Sequence, residues 1–198
     1  MTLDRFYPIF DDADWLERML PLGVKLVQLR LKDRMPWDVA TQIARAEALC
    51  KTHSATLVVN DHWQAAIDAK SAWVHLGQED LDHADMPAIR RAGLRVGLST
   101  HDDAELDRAL SFNPDYVALG PVYPTILKKK KWHEQGLPRV TEWKSRLGEL
   151  PLVGIGGMSV ARAPGVFAAG ADIVSVVTDI TLNPNPGDRV RQWLEVTR

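Results

Sequence analysis

The sequence predicts an α/β fold, a single (β/α)8 TIM barrel spanning residues 1–198. Short apolar runs alternate with helix-like segments along the chain, and there are eight of each. The runs are brief and rich in β-branched residues, as strands are when both faces of a parallel sheet are buried. Strict alternation in one domain allows a closed barrel or an open doubly wound sheet, and the eightfold count favours the barrel.

The strands are predicted where apolar runs stop at polar residues or glycine. In order they are 6–10, 25–29, 55–59, 72–76, 95–98, 116–119, 152–155 and 173–177. Helical spacing of apolar residues predicts the connections at 14–20, 38–51, 63–69, 87–92, from 102 or 103 onward, 140–147, between 159 and 170, and 188–196. Asp38 and Ser159 are the predicted N-caps of two helices, because their side-chain oxygens can accept first-turn amides. Residues 122–138 form one long predicted loop.

Composition excludes several classes of partner. The chain is 45% hydrophobic with a formal charge of −2, so no global field attracts nucleic acid or anionic lipid. The lone cysteine, Cys50, allows no intrachain disulfide, which fits a reducing compartment. We see no signal-like start and no apolar run long enough to span a bilayer, so the expected location is cytoplasmic. The expected partners are small molecules, and a homo-oligomer is compatible with the sequence.

Polar residues collect at the carboxyl ends of the predicted strands, where barrels carry their sites. They are Arg30, Lys32, Asn60, Asp61, Gln78, Asp80, Ser99, Thr125, Lys128 and Thr178. Asp61 and Asp80 follow neighbouring strands, so both should emerge at the same rim. Two carboxylates there can share a divalent cation or divide acid and base roles.

Two candidate anion sites lie along this rim. Gly156-Gly157 and Thr178 follow the seventh and eighth strands, the usual phosphate seat of a barrel, although a glycine pair can also simply make a tight turn. Arg30, Lys32 and Lys128 supply a second positive cluster. Beside a carboxylate pair, these cations suit a polyphosphate with Mg²⁺, whereas alone they read as solvated loop residues.

Two histidines allow different roles. His75 lies within a predicted strand and should be packed rather than catalytic. His101 follows the fifth strand and could act as an acid or base near neutral pH, although histidines are also common at helix starts.

The motifs at these strand ends have a recognisable order. They are VQLR at 27–30 with Lys32, Asn60-Asp61, HLGQED at 75–80, GLS at 97–99, GPVYPT at 120–125 with Lys128, and IGG at 155–157. Together they resemble the thiamine phosphate synthase family, and the resemblance covers nearly the whole chain. The HLGQED and GPVYPT segments are the most specific parts of it.

The resemblance implies a (β/α)8 barrel enzyme that condenses 4-amino-5-hydroxymethyl-2-methylpyrimidine diphosphate with 4-methyl-5-(2-phosphooxyethyl)thiazole. The products are thiamine phosphate and pyrophosphate, and the cofactor is Mg²⁺, held by Asp61 and Asp80. The implied diphosphate contacts are Arg30, Lys32, Asn60, Ser99 and Lys128, all but Asn60 being candidate catalytic residues. Gln28 is implied to orient the pyrimidine. The implied thiazole phosphate contacts are Thr125, Gly157, Val177 and Thr178.

The chain departs from the family pattern at four positions. His62 stands where the family usually has arginine, and Leu127 stands where a second threonine or serine is expected. Thr178 replaces a typical serine, and Asp179 follows it. An acid at position 179 repels a thiazole phosphate unless its side chain points away.

Two alternative functions remain open from the sequence. A thiazole tautomerase shares the barrel and needs neither diphosphate nor magnesium, and His101 would then be the acid–base residue. The other alternative is a non-catalytic barrel that binds thiamine precursors or a partner. The departures from the family pattern at Leu127 and Asp179 would then reflect the loss of catalysis.

Overall fold

Residues 3–125 and 133–198 are described by the structure, a computed structural model, and their strands form one closed parallel barrel. The strands are β1 (Phe6–Phe10), β2 (Leu26–Leu29), β3 (Thr56–Asn60), β4 (Trp73–Leu76), β5 (Arg95–Thr100), β6 (Tyr116–Leu119), β7 (Leu152–Ile155) and β8 (Ile173–Val176). Each strand pairs with its neighbour in the chain, and β1 pairs with β8 to close the ring. The predicted TIM barrel is confirmed.

Helices connect the strands on the outside of the barrel. Within the described residues they are α1 (Ala13–Met19), α2 (Pro36–Thr52), α3 (Trp63–Asp68), α4 (Met86–Arg91), α5 (Asp103–Ser111), α6 (Gly136–Leu147), α7 (Ala163–Ala168), α8 (Thr178–Thr181) and α9 (Pro186–Thr197). The one-turn helix α8 was not predicted, because four residues are too few for a hydrophobic period to show. Strand β5 runs two residues further than predicted, which makes Ser99 a strand residue.

Both predicted N-caps, Asp38 and Ser159, are wrong. Helix α2 begins earlier, with Pro36 in its first turn, because the fixed φ of proline suits a helix start. Asp38 therefore lies inside the first turn and pairs with Arg34. Ser159 lies in a turn before α7, where its carbonyl accepts from the amide of Ala163.

The long connection after β6 is shorter than the predicted loop at 122–138. Helix α6 already begins at Gly136, and the amide of Gln135 donates to the carbonyl of Pro121 at 2.8 Å. This end of the connection is therefore tied back to the barrel. Residues 126–132 lie outside the described part of the chain.

The side chains alternate between two buried layers. Those that fill the inside of the barrel include Tyr7, Leu26, Val58, Trp73, Tyr116, Ala118, Val153 and Ile173. A larger layer packs between the strands and the helices and includes Trp143 and Trp193. The inner layer fills the interior of the barrel, so a ligand can bind only at its rims.

No helix in the ranges 3–125 and 133–198 combines the length and apolarity needed to cross a membrane. The cytoplasmic location and the homo-oligomer stay predictions.

Candidate active site

Asp61 follows β3 directly and faces a cation from the neighbouring loop. The Nζ atom of Lys32 lies 3.2 Å from its Oδ2 atom. Asp61 has a φ of 62°, a left-handed conformation that aspartate tolerates better than most residues. Its amide donates to the carbonyl of His75 on β4, which fixes this corner against the next strand.

Asp80 lies beside Asp61, in a 3₁₀ turn (Asp80–Asp82) that follows β4. Its Oδ2 accepts the amide of Gly77 at 2.8 Å, and its carboxyl lies close enough to that of Asp61 for the two groups to interact. Burial raises the pKa of Asp80, the Gly77 amide opposes the shift, and the charge of Asp61 adds to it. Two carboxyls in contact can share a proton or jointly hold a cation.

Further polar groups surround this pair. Arg30 is exposed just after β2 and forms no ion pair with any residue that the structure describes. Asn60, the last residue of β3, is buried, and its Nδ2 has no partner among the described residues. An unpartnered buried amide next to a carboxylate pair is what an anionic ligand would satisfy.

Gln28 and Ser99 point into the top of the barrel. The Gln28 amide nitrogen donates to the Tyr7 hydroxyl at 2.9 Å. The Ser99 hydroxyl lies 2.7 Å from Nε2 of His75, which is buried as predicted and hydrogen-bonded as well. Gln28 and Ser99, both candidate ligand contacts, are therefore each positioned by a hydrogen bond to a buried side chain.

A cavity of about 490 Å³ opens after β7 and β8, apart from the carboxylate pair. Its lining includes Thr125, Gly157, Arg162, Thr178 and Asp179. Gly157 has a φ of +62°, and a Cβ there would lie 2.4 Å from the carbonyl oxygen of Pro124. Only glycine allows these two loops to approach so closely.

Arg162 was not predicted as a member of this cavity. Its guanidinium donates to the carbonyl of Gly157 and lies 4.5 Å from the centre of the Tyr123 ring. The charge is thereby fixed at the cavity wall. An arginine in the loop after the seventh strand was the available signal, since that loop commonly holds phosphate in barrels.

Asp179 lines this cavity, and partners on α9 hold its carboxylate. Its Oδ2 accepts from Nε1 of Trp193 on α9 at 2.8 Å and lies 3.7 Å from Nε of Arg189. Arg189 and Trp193 therefore offset part of the repulsion that this carboxylate exerts on a phosphate.

Comparisons with known proteins identify the family. A family model described as thiamine monophosphate synthase matches residues 6–180. The chain belongs to the thiamine monophosphate synthase family. The thiamine-phosphate synthase of Rhizobium etli is 57% identical over 197 residues, which cover 100% of this chain and 97% of that protein. That of Cronobacter sakazakii is 46% identical over 190 residues, covering 96% and 90%. The chain is thus an enzyme of the transferase class.

Solved structures agree on the fold. The thiamine phosphate pyrophosphorylase of Pyrococcus furiosus superposes with a TM-score of 0.86 at 20% identity, covering 98% of this chain and 95% of that one. A 3-hexulose-6-phosphate synthase also superposes, with a TM-score of 0.67 at 14% identity and coverage of 97% and 99%. Since one fold hosts different reactions, the site residues must carry the functional argument.

The positions that differ from the family pattern fall in several environments. His62 places Nε2 3.0 Å from the carbonyl of Leu31, so it braces the loop that carries Lys32. Leu127 and the candidate Lys128 lie outside the described residues. Nδ1 of His101, the acid–base candidate of the tautomerase alternative, donates to the Glu105 carboxylate 2.7 Å away on α5.

In the thiamine monophosphate synthase family the implied cofactor is Mg²⁺, and the donor set fits it. Among the described residues no group of three or more His, Cys, Asp or Glu side chains could hold a metal ion. Mg²⁺ needs only one or two carboxylates, because substrate phosphates and waters complete its shell. The contact between Asp61 and Asp80 supplies two.

Proposed function

We propose that the enzyme joins the pyrimidine diphosphate to the thiazole phosphate, releasing pyrophosphate and forming thiamine phosphate. The observation that carries the proposal is the closeness of Asp61 and Asp80 beside Lys32. The Arg30 guanidinium, which forms no ion pair with a described residue, lies at the same rim. The names of the relatives from Rhizobium etli and Cronobacter sakazakii support the same reaction.

The diphosphate binds at the rim after β2 to β5. Asp61 and Asp80 hold Mg²⁺, which when bound neutralises charge on the leaving pyrophosphate. Arg30 and Lys32 bind phosphate oxygens, together with Lys128 from the connection after β6. Asn60 and Ser99 donate hydrogen bonds to the same anion. Because the anion's charge grows as it departs, these groups stabilise the transition state more than the ground state.

The bond that breaks joins the pyrimidine methylene carbon to the diphosphate oxygen, and its electron pair leaves with pyrophosphate. The resulting cation is stabilised by the pyrimidine ring. The thiazole nitrogen then donates its lone pair to the methylene carbon, so no protein nucleophile is required. Gln28 orients the pyrimidine: its amide nitrogen donates to Tyr7, which leaves its carbonyl oxygen to accept from the 4-amino group.

The thiazole phosphate binds in the cavity after β7 and β8. Thr125, Gly157 and Thr178, with the backbone at Val177, surround the phosphate, and Arg162 adds a fixed positive charge. Two anion sites at one barrel mouth hold the two substrates in the orientation that the new bond needs.

The decisive test measures pyrophosphate release from the two substrates, with and without Mg²⁺. We expect release that depends on both substrates and on the metal. Metal-independent isomerisation of a thiazole would support the tautomerase alternative, and tight binding without turnover would support a non-catalytic barrel. Either result would overturn the proposal.

Replacing Arg162 tests the thiazole side. In Arg162→Gln we expect the KM for thiazole phosphate to rise about tenfold with kcat nearly unchanged, because a charged contact that serves binding alone is lost. Steady-state kinetics at saturating pyrimidine diphosphate measure this. The matched control is Arg18→Gln, since Arg18 also stacks on an aromatic ring, Trp15, but on α1 outside the site. Equal KM values in the two variants would contradict the assignment.

A further inference from the structure

A continuous line of hydrogen bonds crosses the inside of the barrel, from Gln28 to Ser99. Nε2 of Gln28 lies 2.9 Å from the Tyr7 hydroxyl, which lies 2.9 Å from the Tyr116 hydroxyl. The Tyr116 hydroxyl lies 2.8 Å from Nδ1 of His75. Nε2 of His75 lies 2.7 Å from the Ser99 hydroxyl at the mouth. The line therefore connects two proposed substrate contacts through three buried side chains.

The barrel is built to admit this line. Tyr116 lies across the interior, and its ring fits only because Gly97 on the neighbouring strand has no side chain. A Cβ at Gly97 would lie 1.9 Å from Cζ of Tyr116. His75 stacks on the Tyr116 ring with a centroid separation of 5.6 Å, and Tyr7 meets the same ring edge-on at 6.1 Å. Packing thus fixes all three rings.

The chemistry of the groups gives the line a direction. The Gln28 nitrogen can only donate, so Tyr7 accepts there. If Tyr7 also accepted from Tyr116, its own buried proton would have no acceptor among the described residues, so Tyr7 gives this proton to Tyr116. Tyr116 in turn gives its proton to Nδ1 of His75. With Nδ1 of His75 as an acceptor, the ring carries its proton on Nε2 and donates it to Ser99. The proton of Ser99 has no place in the line and is left for a ligand at the mouth.

Burial keeps both phenols protonated. It raises the pKa of Tyr7 and of Tyr116 far above the ordinary tyrosine value. At Tyr7 the effect of burial outweighs the lowering by its hydrogen bonds, whereas at Tyr116 the interactions with Tyr7 raise the pKa further. Each hydroxyl therefore carries one proton to pass on at neutral pH. Hydrogen bonds aligned in this way polarise one another, which strengthens the last donor.

We propose that Tyr116 is a positioning residue, which holds His75 in the Nε2–H tautomer and so makes Ser99 a hydrogen-bond donor to the departing diphosphate. The inference rests on the proposed function for the identity of the anion. With the opposite tautomer, Ser99 would donate to His75 and present only lone pairs to the anion. That arrangement would weaken binding just as the leaving group gains charge.

The first test reads the tautomer without any turnover. Nitrogen-15 NMR of the wild-type protein should show His75 protonated at Nε2, with Nδ1 as an acceptor. In Tyr116→Phe, which keeps the ring, we expect the Nδ1–H form to become populated. In Tyr7→Phe we expect the Nε2–H form to persist, because Tyr116 still has its proton to give. A wild-type protein in the Nδ1–H form, or a Tyr116→Phe protein with an unchanged tautomer, would overturn the inference.

The second test follows the effect to Ser99. Tyr116→Phe should lower kcat about tenfold and leave the KM for thiazole phosphate within about twofold, since the lost donor acts on the leaving group. In a Ser99→Ala background, the same change should cost no more than about twofold, because the two residues act through one contact. Fully multiplicative losses would overturn the inference. NMR needs no activity. If only the proposed function were wrong, the expected tautomers would still be seen, but pyrophosphate release would not show the expected losses.

Discussion

Asp80→Asn is expected to lower kcat/KM at least about 1,000-fold while the protein keeps its fold. The asparagine can still accept the amide of Gly77 through Oδ1, so the turn after β4 stays in place. What disappears is one of the two negative charges that hold the cation. Pyrophosphate release at saturating Mg²⁺ measures the loss, and thermal unfolding measures the fold. We expect no drop in stability, because the change also removes like-charge repulsion with Asp61.

Asp82→Asn is the matched control for this experiment. Asp82 lies in the same 3₁₀ turn, but its carboxylate is exposed and pairs with Arg108. The control should keep at least about half of the wild-type activity, as exposed ion pairs contribute little. Asp61→Asn should lose activity to the same extent as Asp80→Asn, because asparagine also tolerates the left-handed backbone at that position. Full activity in either variant would refute the magnesium assignment.

The meeting of Asp61 and Asp80 could be predicted because it depends on topology alone. In a parallel barrel, residues that directly follow neighbouring strands emerge at the same rim, whatever the details of packing. The apolar runs marked β3 and β4 clearly, so the two acids were placed correctly. The same reasoning put Gly157 and Thr178 at one end of the barrel, where they now line one cavity.

The internal line of hydrogen bonds could not be predicted, since its members are far apart in the chain. Tyr7 and Tyr116 are separated by 109 positions, and only the closed ring brings their hydroxyls together. In the sequence each tyrosine looks like one more apolar strand residue. The available signal was a polar residue within an apolar strand, His75 in β4 and Ser99 in β5. Such residues indicate that one face of the strand is not wholly apolar.

The environments of Arg162 and Asp179 could not be predicted for a related reason. Their roles depend on which way a side chain turns, and that is set by partners on other elements. Trp193, on the last helix, donates to the Asp179 carboxylate, while Tyr123 supports the Arg162 guanidinium at the cavity wall. The order of charges along the chain does not show these partners.

Gly157→Ala should reduce the use of thiazole phosphate more than any other change in that cavity. The alanine would adopt a left-handed φ, and its Cβ would lie 2.4 Å from the Pro124 carbonyl, so the segment that carries Thr125 must move. We expect the KM for thiazole phosphate to rise about 100-fold, because a displacement of about 1 Å in a binding segment has effects of this size. The free energy of unfolding should fall by about 2 kcal/mol.

Gly93→Ala separates backbone strain from the effect on the site. Gly93 also has a positive φ, of 84°, but a Cβ there would meet no atom within 4 Å. This variant should lose about 1 kcal/mol of stability through the backbone alone and keep the wild-type KM for thiazole phosphate. Since both variants carry left-handed alanine, the KM difference between them measures the approach of the Gly157 loop to Pro124. If the two KM values were equal, Gly157 would be a tight turn and nothing more.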